Sequence, residues 1–131
     1  MLTRLMVSLL LTLGTVRSTA GDSNGTGSVS LIQLIANPEK FNGKPVLVTG
    51  FLGLEFEGNA LYLHDEDFKH NLTDNGIWVV RNDIIRNKTD SLNMHYVAIF
   101  GTFDASHKGH MGIFSGSLRD IKSVDNLAGN R

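Results

Sequence analysis

The chain has 131 residues, 41% of them hydrophobic and 19% charged, with a formal net charge of −1 and no cysteine. This length suits one compact domain rather than two, and the composition excludes a disordered tail. The missing cysteines exclude disulfides, thiolate metal sites and a cysteine nucleophile, and the small net charge offers no long-range pull on a phosphate backbone.

Arg4 precedes an apolar run from Leu5 to Leu13, which breaks at Gly14, and Ser18-Thr19-Ala20 supplies small residues beyond it. This is the order of a secretory signal peptide over residues 1–20, cleaved after Ala20. A bilayer-spanning helix needs about 20 apolar residues. The run is shorter, so no stable membrane span is expected after cleavage, and an uncleaved anchor is the alternative. Residues 21–28 are small and polar and read as a flexible linker. The domain then occupies about residues 29–127, with a tail over 128–131.

Leu31, Ile32, Leu34 and Ile35 stand at helical spacing behind Ser28 or Ser30, either of which could cap the helix. Asn37-Pro38 ends it and can begin a second turn, with Pro38 at its first position. Asn42-Gly43 supplies a left-handed stop. A long strand follows from Lys44 to Glu57, with Val46, Val48, Leu52, Leu54 and Phe56 on the inward face. Gly50 and Gly53 within it point to a bend or a close backbone approach.

Ala60–Leu63 reads as the second strand and Ile77–Val80 as the third, with a polar, irregular stretch from His64 to Asn75 between them. Asp83 to Asn93 reads either as a helix or as a lid over a barrel end. His95–Phe103 reads as the fourth strand. Met111–Leu118 reads as the fifth, extended through Ile121 and Val124. The expected fold class is all-β with a short N-terminal helix, arranged as a five-stranded OB-type Greek-key barrel. An open sandwich or an SH3-like barrel fits the same periodicity.

The run Asn37-Pro38-Glu39-Lys40-Phe41-Asn42-Gly43-Lys44, followed by alternating valines, resembles the NPEKFDGK-type opening of small exported bacterial OB-fold proteins of uncharacterised function. Here Asn42 stands in place of the usual aspartate. Phe100-Gly101-Thr102-Phe103-Asp104-Ala105 and Gly109 to Leu118 resemble the last hairpin of the same group. The resemblance spans about residues 30–124. It implies the fold and a periplasmic or secreted location, but no activity.

Asp104, His107 and His110 stand three apart between the last two strands. Two imidazoles and a carboxylate could hold a divalent metal, for a metal carrier or a metal-dependent enzyme. A hydrated, flexible hairpin tip, or His110 hydrogen-bonded at a barrel end, is the favoured reading, since short His motifs recur without metal. Asp65 and Asp67 could offer oxygens to calcium, but the EF-hand spacing is missing. Among the aromatic residues Tyr62 and Trp78 are expected to face a groove, their polar tips meeting water or ligand, while Phe51, Phe100, Phe103 and Phe114 fill the core.

Lys40 with Lys44, and Arg81 with Arg86 and Lys88, read as solvated charge. Asn24, Asn71 and Asn87 open glycosylation triplets, which matter only in a eukaryotic secretory pathway. No nucleophile elbow, phosphate loop or paired-carboxylate motif stands out. The expected function is a noncatalytic binding or interaction module of the cell envelope. Its partner would be a glycan, a small molecule or an envelope protein, with no resident cofactor. Net charge and export both count against nucleic acid.

Overall fold

The computed structural model describes Gly14 and residues 27–129; the expected signal peptide and most of the expected linker lie outside the described residues. A two-residue strand β1 (Gly27–Ser28) opens the domain. It runs parallel to the next strand, with Gly27 opposite Val46 and Ser28 opposite Leu47. The sheet therefore begins two residues inside the segment that reads as linker.

Helix α1 (Leu31–Ala36) is capped by Ser30, whose hydroxyl accepts the Gln33 N–H at 3.2 Å while Gln33 Oε1 accepts the Ser30 N–H at 3.0 Å. This reciprocal box satisfies backbone donors that a six-residue helix cannot satisfy internally. Helix α2 (Pro38–Phe41) starts on Asn37-Pro38, and Gly43 takes a φ of 75° beyond its end. Both short helices and the left-handed stop agree with the sequence.

Strand β2 (Pro45–Gly53) pairs with β3 (Ala60–Tyr62) through its second half and with β5 (His95–Asp104) along nearly its whole length. Strand β3 pairs with β4 (Gly76–Val79), β4 lies parallel to β6 (Ser117–Asn126), and β6 returns antiparallel to β5. The order β2-β3-β4-β6-β5-β2 closes a five-stranded barrel. Closure leaves none of these five strands as an open edge.

The fold is mostly β, but it is not all-β with one helix. Helix α3 (Asp65–Lys69) lies between β3 and β4, and α4 (Asp83–Arg86) and α5 (Thr89–Leu92) lie between β4 and β5. None exceeds two turns, so none leaves a hydrophobic period long enough to read. Single-turn 3-10 segments sit at Thr73–Asn75, His110–Gly112 and Leu127–Gly129.

Val46, Val48, Leu52, Leu61, Ile77, Val79, Val97, Ile99 and Leu118 line the barrel interior and are buried. Leu31 and Leu34 of α1, with Ile85 and Leu92 of the α4–α5 pair, join the same core. Phe51 is also buried, on the opposite face of β2, and Phe103 joins the core.

Two strand limits differ from the sequence reading by more than two residues. Strand β2 ends at Gly53, so Phe56 projects outward and is 95% exposed rather than inward-facing. The last strand begins at Ser117, not Met111. Met111 and Gly112 take φ values of 59° and 66°, left-handed rather than extended conformations.

Candidate functional site

Residues directly opposite one another across paired strands project to the same face of a sheet. One row across the outer face is Tyr96 on β5, Phe51 on β2, Tyr62 on β3 and Gly76 on β4. The adjacent row is Gly53, Ala60, Trp78 and Ser117. The sheet thus carries an aromatic outer face as well as an aliphatic inner one.

Two segments lie on this face. From one side α3 delivers Phe68. A methyl group on Gly53 would come within 2.5 Å of the Phe68 ring, so the missing side chain is what lets the ring lie on β2. From the other side the β5–β6 loop delivers Phe114. The rings form a continuous chain: Tyr96 to Phe51 at 5.3 Å, Phe51 to Phe68 and Phe68 to Tyr62 at 5.9 Å, Tyr62 to Phe114 at 6.3 Å, and Phe114 to Trp78 at 5.6 Å. Tilted and edge-to-face pairs at these separations are favourable beyond the area they bury.

Asp67 holds α3 in place. Its Oδ2 accepts the His64 N–H at 2.8 Å and its Oδ1 accepts from Asn75 Nδ2 at 2.9 Å. The carboxylate is buried, 7% exposed, and ties the start of α3 to the turn before β4. Asp65 and Glu66 bind Lys69 at 3.1 and 2.8 Å. The acidic stretch that could have offered oxygens to calcium is therefore a capped helix with an internal ion network.

Between Phe68 and Phe114 the outer face stays open. A cleft of about 790 Å³ has Tyr62, Phe68 and Phe114 among its lining residues. Glu55, Phe56 and Glu57 of the β2–β3 loop line it, and so do His110, Met111 and Ile113 of the β5–β6 loop. Phe56 is 95% exposed, Met111 81% and Ile113 46%. His110 Nε2 and Glu57 Oε2 approach to 3.6 Å, so the two loops meet at the rim. The Tyr62 phenol is held above its usual pKa by burial, then by the Glu55 and Asp67 carboxylates. It stays protonated at neutral pH and offers a hydroxyl group rather than a base.

Of the two aromatic residues singled out from the sequence, Tyr62 lines the cleft. Trp78 lies behind it, packed on Phe114. Phe56, Phe68, Met111 and Ile113 were not anticipated as cleft residues. The first reads as core, and the Met111–Phe114 segment reads as strand because its apolar residues alternate. The signal against a strand is Gly109 and Gly112 flanking Met111.

Asp104 is committed elsewhere. Its Oδ1 accepts from Ser106 Oγ at 2.6 Å, from the Ser106 N–H at 2.9 Å and from the His107 N–H at 3.3 Å. Its Oδ2 accepts from Arg119 Nε at 3.2 Å. His107 thus meets Asp104 through its backbone, while the His110 ring turns to Glu57. Among the described residues no three His, Cys, Asp or Glu side chains form a group that could hold a metal ion. Among the same residues no helix is long and apolar enough to cross a membrane.

The Ser106 hydroxyl, the neighbouring N–H groups and Arg119 lower the Asp104 pKa, against a smaller opposing effect of burial. A carboxylate with a depressed native pKa stabilises the fold above its unfolded pKa, and that contribution disappears as pH falls through the native value. Asp104→Ala is expected to cost about 1 kcal/mol at pH 7, the low end for hydrogen bonds to a charged group near solvent. The difference from the parent should narrow in acid, as pH falls below the ordinary aspartate range toward the depressed native value. Thermal melts of both proteins at pH 7 and pH 2.5 check this; an equal gap at both values would contradict it.

No family model matches this chain, and no curated protein matches it either.

Proposed function

We propose that the chain is an exported, noncatalytic binding module of the cell envelope, built on an OB-type Greek-key barrel, and that its ligand sits in the cleft between the β2–β3 and β5–β6 loops. One observation carries the reading: Phe56, Met111 and Ile113 stand exposed on two facing loops beside the aromatic lining. Exposed as they are, they contribute little to the core. A clustered apolar rim around a concave, ring-lined surface is the form of a binding site.

The barrel topology supports the OB assignment. A long first strand pairs with two neighbours, and a parallel β4–β6 contact completes the closure. In OB barrels the second and third strands and the two adjoining loops form the usual binding face, an analogy of fold that leaves the ligand open. Export rests on the signal-peptide order of residues 1–20 and on the resemblance of the Asn37–Lys44 opening to exported bacterial proteins. The alternative, a divalent-metal site on Asp104, His107 and His110, draws no support from this geometry, because both Asp104 oxygens already accept hydrogen bonds.

The test is native purification after export from the chain's own leader, comparing the parent with Met111→Asp. Met111 is exposed and aspartate tolerates a left-handed backbone, so the variant should fold with a change within about 0.5 kcal/mol. The mature mass should correspond to a chain beginning at Gly21. A compound or partner should remain on the parent and fall about tenfold on the variant. Equal retention by both proteins would remove the cleft from the reading.

A further inference from the structure

We infer that the cleft takes a basic, extended polypeptide segment, with Lys or Arg flanked by apolar residues. This rests on the binding reading above and narrows it to one chemistry.

The chain segment that flanks one side of the cleft is acidic. From Glu55 to Asp74 the chain carries Glu55, Glu57, Asp65, Glu66, Asp67 and Asp74, against Lys69 as the one lysine and no arginine. That lysine is already bound to the Asp65 and Glu66 carboxylates of its own helix. Its positive charge is therefore balanced before any ligand arrives. Glu55 and Glu57 are exposed on the β2–β3 loop and line the cleft. The effect of Glu55 on the Tyr62 phenol shows that its charge acts on the cleft lining. Lys69 and His110 also line the cleft and Lys108 lies on the β5–β6 loop, while Arg86 of α4 and Arg119 and Lys122 of β6 lie outside the lining.

Negative charge beside aromatic rings selects cations. A guanidinium or ammonium group can lie against the exposed Phe56 ring or the half-buried Phe68 ring and pair with Glu55 or Glu57. The same field repels polyanions, which sets this cleft apart from an OB face that holds nucleic acid. The apolar rim argues for a polypeptide over a lone cation. Phe56, Met111 and Ile113 offer more apolar surface than a small cation can cover. Lys and Arg bring an apolar stem with a charged head, and their neighbours in a peptide reach the rim. Methionine on that rim adapts to varied side chains.

The experiment pans random 12-residue peptides displayed on phage against the full exported protein. Binders are kept only if they are lost on Met111→Asn, which removes the apolar rim side chain without changing the charge and suits the left-handed backbone there. Synthetic copies are then titrated calorimetrically against the parent and the double variant Glu55→Gln/Glu57→Gln, at low and moderate salt. Cleft-dependent binders should be enriched in Lys and Arg next to apolar residues. Their affinity should fall about tenfold or more on the double variant and fall with salt, as for a rim electrostatic attraction.

Cleft-dependent binders without an excess of Lys and Arg would overturn the charge assignment and leave the binding cleft standing. Arginine amide binding as tightly as the best peptide would overturn the polypeptide assignment. The absence of any cleft-dependent peptide would do the same, and the binding reading would then stand or fall on the native purification.

Discussion

Val48→Asp leaves the domain unfolded at 25 °C, while Thr49→Asp, the next residue along β2, melts within a few degrees of the parent. Val48 is fully buried in the barrel and pairs with Ile99 across the β2–β5 ladder. Thr49 points to the other face and is exposed. A carboxylate at position 48 has two options, and both are costly. It either stays charged in an aliphatic interior or takes up a proton and remains a polar group there without a designed partner. The cost is several kcal/mol either way, against about 5–15 kcal/mol for the whole of a domain this size. Circular dichroism and urea titration of the two variants check the pair. A folded Val48→Asp, or equal losses at the two positions, would show that the inward face of β2 had been assigned wrongly.

That contrast was legible in the sequence because an alternating strand has a period of two, and Val46, Val48 and Leu52 keep it for as long as the strand lasts. The misplacement of Phe56 has the same origin. Its alternation with Leu54 continues past Gly53, where the strand has already ended. Alternation in a sequence marks where a strand could run, not where its hydrogen bonds stop. Asn42 is a subtler case. In the sequence it is a turn residue; in the fold its side-chain oxygen accepts the N–H of buried Ala105 at 2.9 Å. An aspartate could accept the same bond.

The cleft was less legible than the barrel for a physical reason. Its lining is contributed by residues far apart in the chain, brought together by a closed sheet and two loops. Tyr62 could be singled out from its type and its strand. Phe68 could not, because its place depends on Asp67 capping a five-residue helix and on the space left by Gly53. Met111 and Ile113 were hidden by an apolar alternation that the left-handed turn at Met111 and Gly112 interrupts. The three-residue spacing of Asp104, His107 and His110 suggested convergence. In the fold Asp104 bonds the chain immediately after it, and the His110 ring points across the cleft rim to Glu57.

Gly50 joins the barrel to the cleft, and Gly50→Ala is expected to cost at least about 3 kcal/mol while disturbing both. Gly50 lies on the inward face of β2, opposite Val97. An added Cβ would stand 2.6 Å from the Tyr62 carbonyl oxygen, 2.7 Å from Leu31 Cδ1 and 2.8 Å from Leu61 Cγ. A side-chain clash can be relieved by a rotamer change. The carbonyl clash cannot, because Tyr62 is paired on both sides, to Phe51 on β2 and to Gly76 on β4. The backbone of β3 must therefore shift, and the Tyr62 ring in the cleft shifts with it. Overpacking a close-packed core ordinarily costs about 1–3 kcal/mol, and a fixed backbone contact puts this case at the upper end or beyond. A double variant separates the contacts: Gly50→Ala with Leu31→Ala removes the Leu31 clash but keeps those with the Tyr62 carbonyl and Leu61. The Leu31 truncation should then add a further loss of its own instead of rescuing the glycine variant. Urea unfolding of the single and double variants, followed by fluorescence of the lone Trp78, measures this. A single variant within about 0.5 kcal/mol of the parent, or full rescue by the Leu31 change, would show that β2 and β3 need no bare backbone at their point of closest approach.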